Sequence, residues 1–177
     1  MSEGETASGQ SAAMVFDASV LIDICEAERE LLGLMVDTFG PVLVPTPVLG
    51  EVDGLDDAGC RGFGLQLLEP NIDQMSEAAS GEGALSFYDW LCLIVARDGR
   101  WTCVTNDAAL LRTCQEQGVA AMRGLRVVLM LVESGVIDRR RAMTFIKVLQ
   151  QVNPYIKPGV VTAFARELRI ANRKSQR

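Results

Sequence analysis

Four carboxylates carry the chemistry open to this sequence. Asp17 ends the short apolar run "AMVFD" and Asp107 ends "WTCVTND". Glu51 lies in "VPTPVLGEVDGL", and Asp89 sits inside "LSFYDWLCLIVA", a nearly unbroken apolar segment. Burying an unpaired carboxylate costs several kcal/mol, so an acid on an apolar helix implies a positive partner. On a helix, the neighbours of Asp89 at i−4, i+3, i+4 and i+7 are Leu85, Cys92, Leu93 and Ala96. Asp89 is therefore predicted to point along the core side. The chain contains no histidine. That excludes His general bases, Ser–His and Cys–His nucleophiles, and His-ligated zinc or iron. Crowded carboxylates repel, and a cation that prefers oxygen relieves the repulsion. Mg²⁺ or Mn²⁺ fits, keeps several of its waters, can lower the pKa of one and can hold a phosphate oxygen, which is phosphodiester hydrolysis chemistry.

Each acid also has a plainer reading. Asp17 and Asp107 could cap the helices that follow them, and Glu51 could be a surface helix residue. For Asp89, capping fails if the helix starts at Ser86 and survives only if it starts about three residues later.

The elements that must position these acids alternate. Short strands are predicted at 13–19, 41–47, 65–70, 101–107 and 119–122. Between them, the apolar spacing of Leu21, Ile24, Leu31, Leu34 and Met35 predicts two helices before residue 40. Thr46-Pro47 reads as an N-cap and N1 pair opening a helix through "VLGEVDGL". The Gly- and Asp-rich stretch 53–64 reads as a loop. Helices follow near 72–79, from Ser86 to Arg97, and over 108–118. Three more are predicted at 125–134, 139–151 and 159–172. This alternation predicts a three-layer α/β/α sandwich around a mostly parallel sheet of about five strands, followed by C-terminal helices. Ligands of such sheets gather outside the carboxyl ends of the strands, where Asp17 and Asp107 both lie.

The chain has 177 residues, 49% hydrophobic and 23% charged, which suits a globular domain. Residues 1–12 read as a disordered acidic arm, 13–123 as the α/β domain, and 124–177 as a helical extension packed on it. No apolar run is long enough to cross a bilayer. Five cysteines, odd in number and with no CxxC, suit free thiols in a reducing cytoplasm. A net charge of −6 argues against a generally nucleic-acid-binding surface. The basic residues are uneven, however, with "RRR" at 139–141 and Arg166, Arg169, Arg173, Lys174 and Arg177 in the tail.

The segments "VFDASVLI", "VPTPVLGEVDGL", "LSFYDWLCLIVAR" and "TCVTNDAALLRTCQEQGV" resemble the four signatures of PIN-domain nucleases, in the order Asp, Glu, Asp, Asp. The resemblance covers about residues 13–123, and the segment after Gly124 looks more loosely like the extension of a toxin-like PIN subgroup. It implies a metal-dependent ribonuclease in which Asp17, Glu51, Asp89 and Asp107 are catalytic and metal-binding. Ser19, Thr105 and Asn106 match the small polar positions that orient ligands or water. It also implies Mg²⁺ or Mn²⁺ as cofactor, RNA as substrate, a homodimer, and an antitoxin protein as partner if the chain is the toxin of a toxin–antitoxin pair. The acidic arm, the long section at 53–80 and the C-terminal helices depart from compact PIN toxins.

Rim candidates for phosphate are Arg97, Arg100, Arg112, Arg123 and the C-terminal cluster. Tyr88, Trp90 and Trp101 could stack on bases or belong to the core. A catalytically silent PIN-fold scaffold acting through partners is the competing class. A phosphoacceptor domain of the receiver type fits less well, because "AAMRG" places Arg123 where its lysine is needed and "VFDA" has one acid rather than two. A haloacid-type phosphatase fails similarly, since "DAS" lacks the second Asp.

Overall fold

The computed structural model describes residues 13–175, with side chains as far as Ala171. The arm expected over 1–12, Arg177, and the side chains of Arg173 and Lys174 lie outside the described residues. The first half runs β1 (Met14–Phe16), α1 (Ala18–Glu28), α2 (Leu31–Phe39), β2 (Val42–Pro45), α3 (Thr46–Leu49), α4 (Asp57–Gly62), β3 (Gln66–Leu68) and α5 (Ile72–Ala79). The second runs α6 (Phe87–Gly99), β4 (Thr102–Val104), α7 (Ala108–Glu116), β5 (Ala121–Met122), α8 (Gly124–Glu133), α9 (Arg139–Val152) and α10 (Pro158–Ser175).

The five strands form one parallel sheet in the order β3-β2-β1-β4-β5. Met14 of central β1 faces Val42 on one side and Thr102 on the other. The apolar strands β1 and β2 are buried at every residue, as strands covered by helices must be. The chain steps outward from β1 to β3, then returns through α5 and α6 to the other flank of β1. Strand order therefore reverses between β1 and β4, the switch point where open parallel sheets leave a crevice. The expected α/β sandwich with C-terminal helices is the fold observed.

Two local expectations change. The stretch 53–64 contains α4, because the Asp56 side chain accepts from the Gly59 N–H at 2.8 Å and Cys60 is buried. The helix expected through 46–55 stops after one turn. Glu51 N–H and Val52 N–H donate to Val48 and Leu49 carbonyls in i−3 turns, and Gly54 adopts φ +75°. Pro45, not Thr46, holds the N-cap position, and the Thr46 hydroxyl donates to Glu69 Oε2 at 2.8 Å.

The turn "RDGR" at the end of α6 divides its work unusually. Arg100, not Gly99, takes the left-handed conformation that ends α6, at φ +55°. Gly99 is used for close approach, since a Cβ there would lie 2.2 Å from the Trp101 ring. Gly99→Ala is expected to cost about 1–3 kcal/mol by overpacking. Arg100→Gly should instead be neutral or stabilising by up to about 1 kcal/mol. Urea midpoints of the two variants check the pair, and an unaffected Gly99→Ala would refute the packing argument.

The C-terminal helices lie on the preceding elements. α9 packs on α1, α10 on α8 and α9, and α8 also meets α2. Phe145, Ile146, Leu149, Phe164 and Leu168 are buried within the same hydrophobic cluster as the strands. Val148 and Val161 are only half-buried. All five cysteines are free. Among the described residues, no helix is long and apolar enough to cross a membrane.

Candidate active site

Asp17 follows β1 directly at the switch point. It is 3% exposed, and although it occupies the N-cap position of α1 it makes no side-chain cap. Its Oδ2 accepts instead from the Ser19 hydroxyl at 2.7 Å and the Thr105 hydroxyl at 2.9 Å, the latter from the end of β4. The capping explanation of Asp17 thus fails. Burial pushes its carboxyl up, the nearby Asp89 charge adds to that, and the two hydroxyls pull the other way.

Glu51 is exposed on its turn, and its carboxyl is also raised, first by desolvation and then by the charges of Asp17 and Asp89. Three carboxylates from β1, the turn after α3 and the start of α6 therefore act on one another. Beneath them lies Cys92, fully buried, with its thiol pushed well above the usual range by burial and then by these acids. It stays protonated and offers no thiolate.

Asp89 corrects a premise. α6 begins at Phe87 with Ser86 as N-cap, and Asp89 is the third helical residue of a capping box. Its Oδ2 accepts from the Ser86 N–H at 2.8 Å, while Ser86 Oγ accepts from the Asp89 N–H at 3.2 Å. It is half-buried in the first turn, where the helix dipole favours a negative charge, with Cys92, Leu93 and Ala96 fully buried on the same side of the helix. Asp107 also caps. Its Oδ1 accepts from the Leu110 N–H at 2.7 Å, and the residue is exposed. Its own N–H donates to Thr105 Oγ1 at 3.0 Å, which ties it to the Asp17 hydroxyl network. The structure brings Asp17, Glu51 and Asp89 into mutual influence, and places Asp107 at the same edge by a backbone link.

Ser19 and Thr105 aim the Asp17 carboxylate. Asn106 does something else: its N–H donates to Ser19 Oγ at 3.1 Å, but its side chain turns away to Asp23 and to the Gly124 N–H. Of the rim arginines, Arg123 is adjacent, donating to the Asn106 carbonyl at 3.0 Å. Arg97 and Arg100 stand at the end of α6, across the sheet from its acid-bearing start, and Arg97 is paired with Glu77 and Asp98. Arg112 lies 4.0 Å from Glu116 on α7. The aromatic candidates Tyr88, Trp90 and Trp101 all pack against the core, with the Trp90 Nε1 buried and unpartnered.

The donor chemistry at this edge is carboxylate and hydroxyl oxygen, which suits a hard divalent cation. Among the described residues, no three carboxylates or thiols are placed to enclose a metal ion. The fit is to an ion held by one or two carboxylates that retains its waters, the usual habit of Mg²⁺. A cavity of about 760 Å³ lies between the end of α1 and the start of α9, at Glu28, Arg140 and Arg141.

Sequence reasoning missed two residues wired to this edge. Asp23 is only 6% exposed, and Asn153 follows the last turn of α9. The signal for Asp23 was available, since "ASVLIDI" is also an apolar run interrupted by one acid.

A family model described as a PIN domain matches residues 13–169. No curated protein matches the chain.

Proposed function

The chain belongs to the PIN-domain family, whose members are generally nucleases, and from that premise we propose that it is a Mg²⁺- or Mn²⁺-dependent endoribonuclease. The observation that carries this reading is Asp17, buried at the switch point, aimed by two hydroxyls, and with its carboxyl raised by that burial and then by the charge of Asp89. A divalent ion at this edge would supply positive charge for a phosphate oxygen and a bound water of lowered pKa. The chain's own residues divide the remaining work. Asp17 is the fixed acid and Glu51 the exposed one, placed to meet solvent and substrate. Asp89 stands in the first turn of α6, and Asp107 stands at the outer edge. Arg123 is the cation placed to meet the RNA backbone beside them.

The test is cleavage of labelled single-stranded and structured RNA by metal-stripped protein, with Mn²⁺, Mg²⁺ or EDTA. Asp89→Asn is a suitable control, because its oxygen still accepts from Ser86 and the cap is kept. Cleavage that needs metal and disappears in the variant supports the assignment. Absence of cleavage in the wild type, together with no saturable Mn²⁺ binding by calorimetry, would overturn it in favour of a PIN-fold scaffold acting through partners. The toxin role, with an antitoxin partner and a homodimer, belongs to the same proposal. It requires that expression of the wild type alone arrests growth and that Asp89→Asn does not.

A further inference from the structure

A second buried carboxylate lies behind the acidic edge, held without a cation. Asp23 accepts at Oδ1 from Asn153 Nδ2 and at Oδ2 from Asn106 Nδ2, both at 2.7 Å. The charge acting on it is a further acid, Glu26, and burial raises its carboxyl while the two amides pull the other way. Two amide bonds without a countercharge compensate only part of the desolvation of a carboxylate. An apolar contact between α1 and α9 would serve stability at least as well. What the carboxylate does is fix two amides at once.

The arrangement continues to the catalytic edge. With Nδ2 held by Asp23 and Oδ1 accepting from Gly124 N–H at 3.0 Å, Asn106 has one orientation. Gly124 permits this approach, since a Cβ there would sit 3.3 Å from Asn106 Oδ1 and 3.0 Å from Val20 Cγ1. The backbone N–H of Asn106 then reaches Ser19 Oγ, and Ser19 donates to Asp17 Oδ2 at 2.7 Å. Accepting from the Asn106 N–H leaves the Ser19 hydrogen to be donated to Asp17, so one hydroxyl links the two.

We propose that Asp23 and Asn153 are positioning residues of the acidic site, through which the end of α9 holds Asn106, Ser19 and Asp17 in register. The C-terminal helices thereby act on the chemistry without touching substrate. The effect on turnover rests on the nuclease reading above; the hydrogen-bond relay does not.

Three variants test it: Asn153→Ala, the near-isosteric Asp23→Asn, and the double variant Asp23→Asn/Asn153→Asp. In the double variant amide and carboxylate exchange places. The oxygen at position 23 still accepts from Asn106, its amide donates to position 153, and the Tyr155 N–H keeps its acceptor. The first readout is backbone amide exchange at Asn106, with the Leu110 amide, capped by Asp107, as internal reference. Each single variant should speed Asn106 exchange about tenfold while Leu110 is unchanged, and the double variant should restore it. The second readout is turnover: kcat should fall about tenfold with KM within about twofold, and recover in the double variant. Mn²⁺ affinity by calorimetry should follow the same order. Asn106 exchange equal to wild type in both single variants would overturn the relay. Singles and double equally impaired would also overturn it, leaving a plain stitch between helices. A wild type that cleaves no RNA counts against the nuclease reading alone, because amide exchange needs neither substrate nor metal and still decides the relay.

Discussion

Asp17→Asn is expected to abolish metal-dependent cleavage, by a factor on the order of 10³ or more, while making the metal-free protein more stable. The two effects have one cause. Asp17 is held in a buried position where its negative charge is opposed by desolvation and by Asp89. An amide keeps an oxygen for the Ser19 and Thr105 hydroxyls, so the geometry survives while the charge is lost. The sign follows from linkage. A carboxyl raised above its ordinary value of 3.8 contributes stability that is present below that pH and lost as pH rises through the raised value. Glu51, raised above 4.5, acts in the same direction. Glu77 and Asp98, lowered by hydrogen bonds that include Arg97, act in the opposite direction. The difference between variant and wild type isolates Asp17 and its neighbours. Urea midpoints in EDTA should coincide near pH 3.5, and the variant should pull ahead as pH climbs toward neutrality. Added Mn²⁺ should then raise the wild type and leave the variant nearly unmoved. A variant less stable than wild type at pH 7 in EDTA would mean that the charge at Asp17 is not under the stress described.

Legibility from sequence followed how local each signal was. The strands were readable because β1, β2 and β4 are short apolar runs; β1 ends directly at Asp17, while β4 ends at Val104 and Asp107 stands three residues further on, at the N-cap of α7. Local hydrogen bonding was harder to read. Whether an acid caps depends on where the first turn begins, and a displacement of one residue at Ser86 makes Asp89 the third residue of a capping box. A carboxylate among apolar residues needs a partner, and at Asp23 a pair of amides fills that place rather than a cation. That partner could not be read from the chain, because Asn153 lies 130 positions away and nothing in "QQVNPY" marks it. Asn106 likewise sat in a recognisable motif, yet its side chain serves the scaffold behind the site. Long-range polar pairing is set by the packing of α9 on α1, which no local periodicity encodes.

That packing leads to the second large effect. Phe145→Ala is expected to cost about 3–5 kcal/mol, a large share of the roughly 5–15 kcal/mol that holds a domain folded. Phe145 is 2% exposed on α9, which packs on α1, alongside Ile146 and Leu149, and truncation leaves a cavity beside Val20 and Ile24 that the backbone cannot close. At this chain length each kcal/mol moves the midpoint about 2–4 °C, so Tm should fall by roughly 6–20 °C. Ile170→Ala, at a residue 55% exposed, should change stability by less than about 0.5 kcal/mol and serves as control. The shape of the transition matters as much as its position. If α8, α9 and α10 were a detachable addition, the variant would melt in two steps, the helices first and the sheet later. A shared hydrophobic cluster predicts one cooperative transition at the lower temperature. Two resolved steps by calorimetry would show the helices to be separable. A single step would mean that the end of α9 is held against Asp23 by the same core that supports β1, and that loss of packing at Phe145 reaches Asp17 through structure it shares with the site.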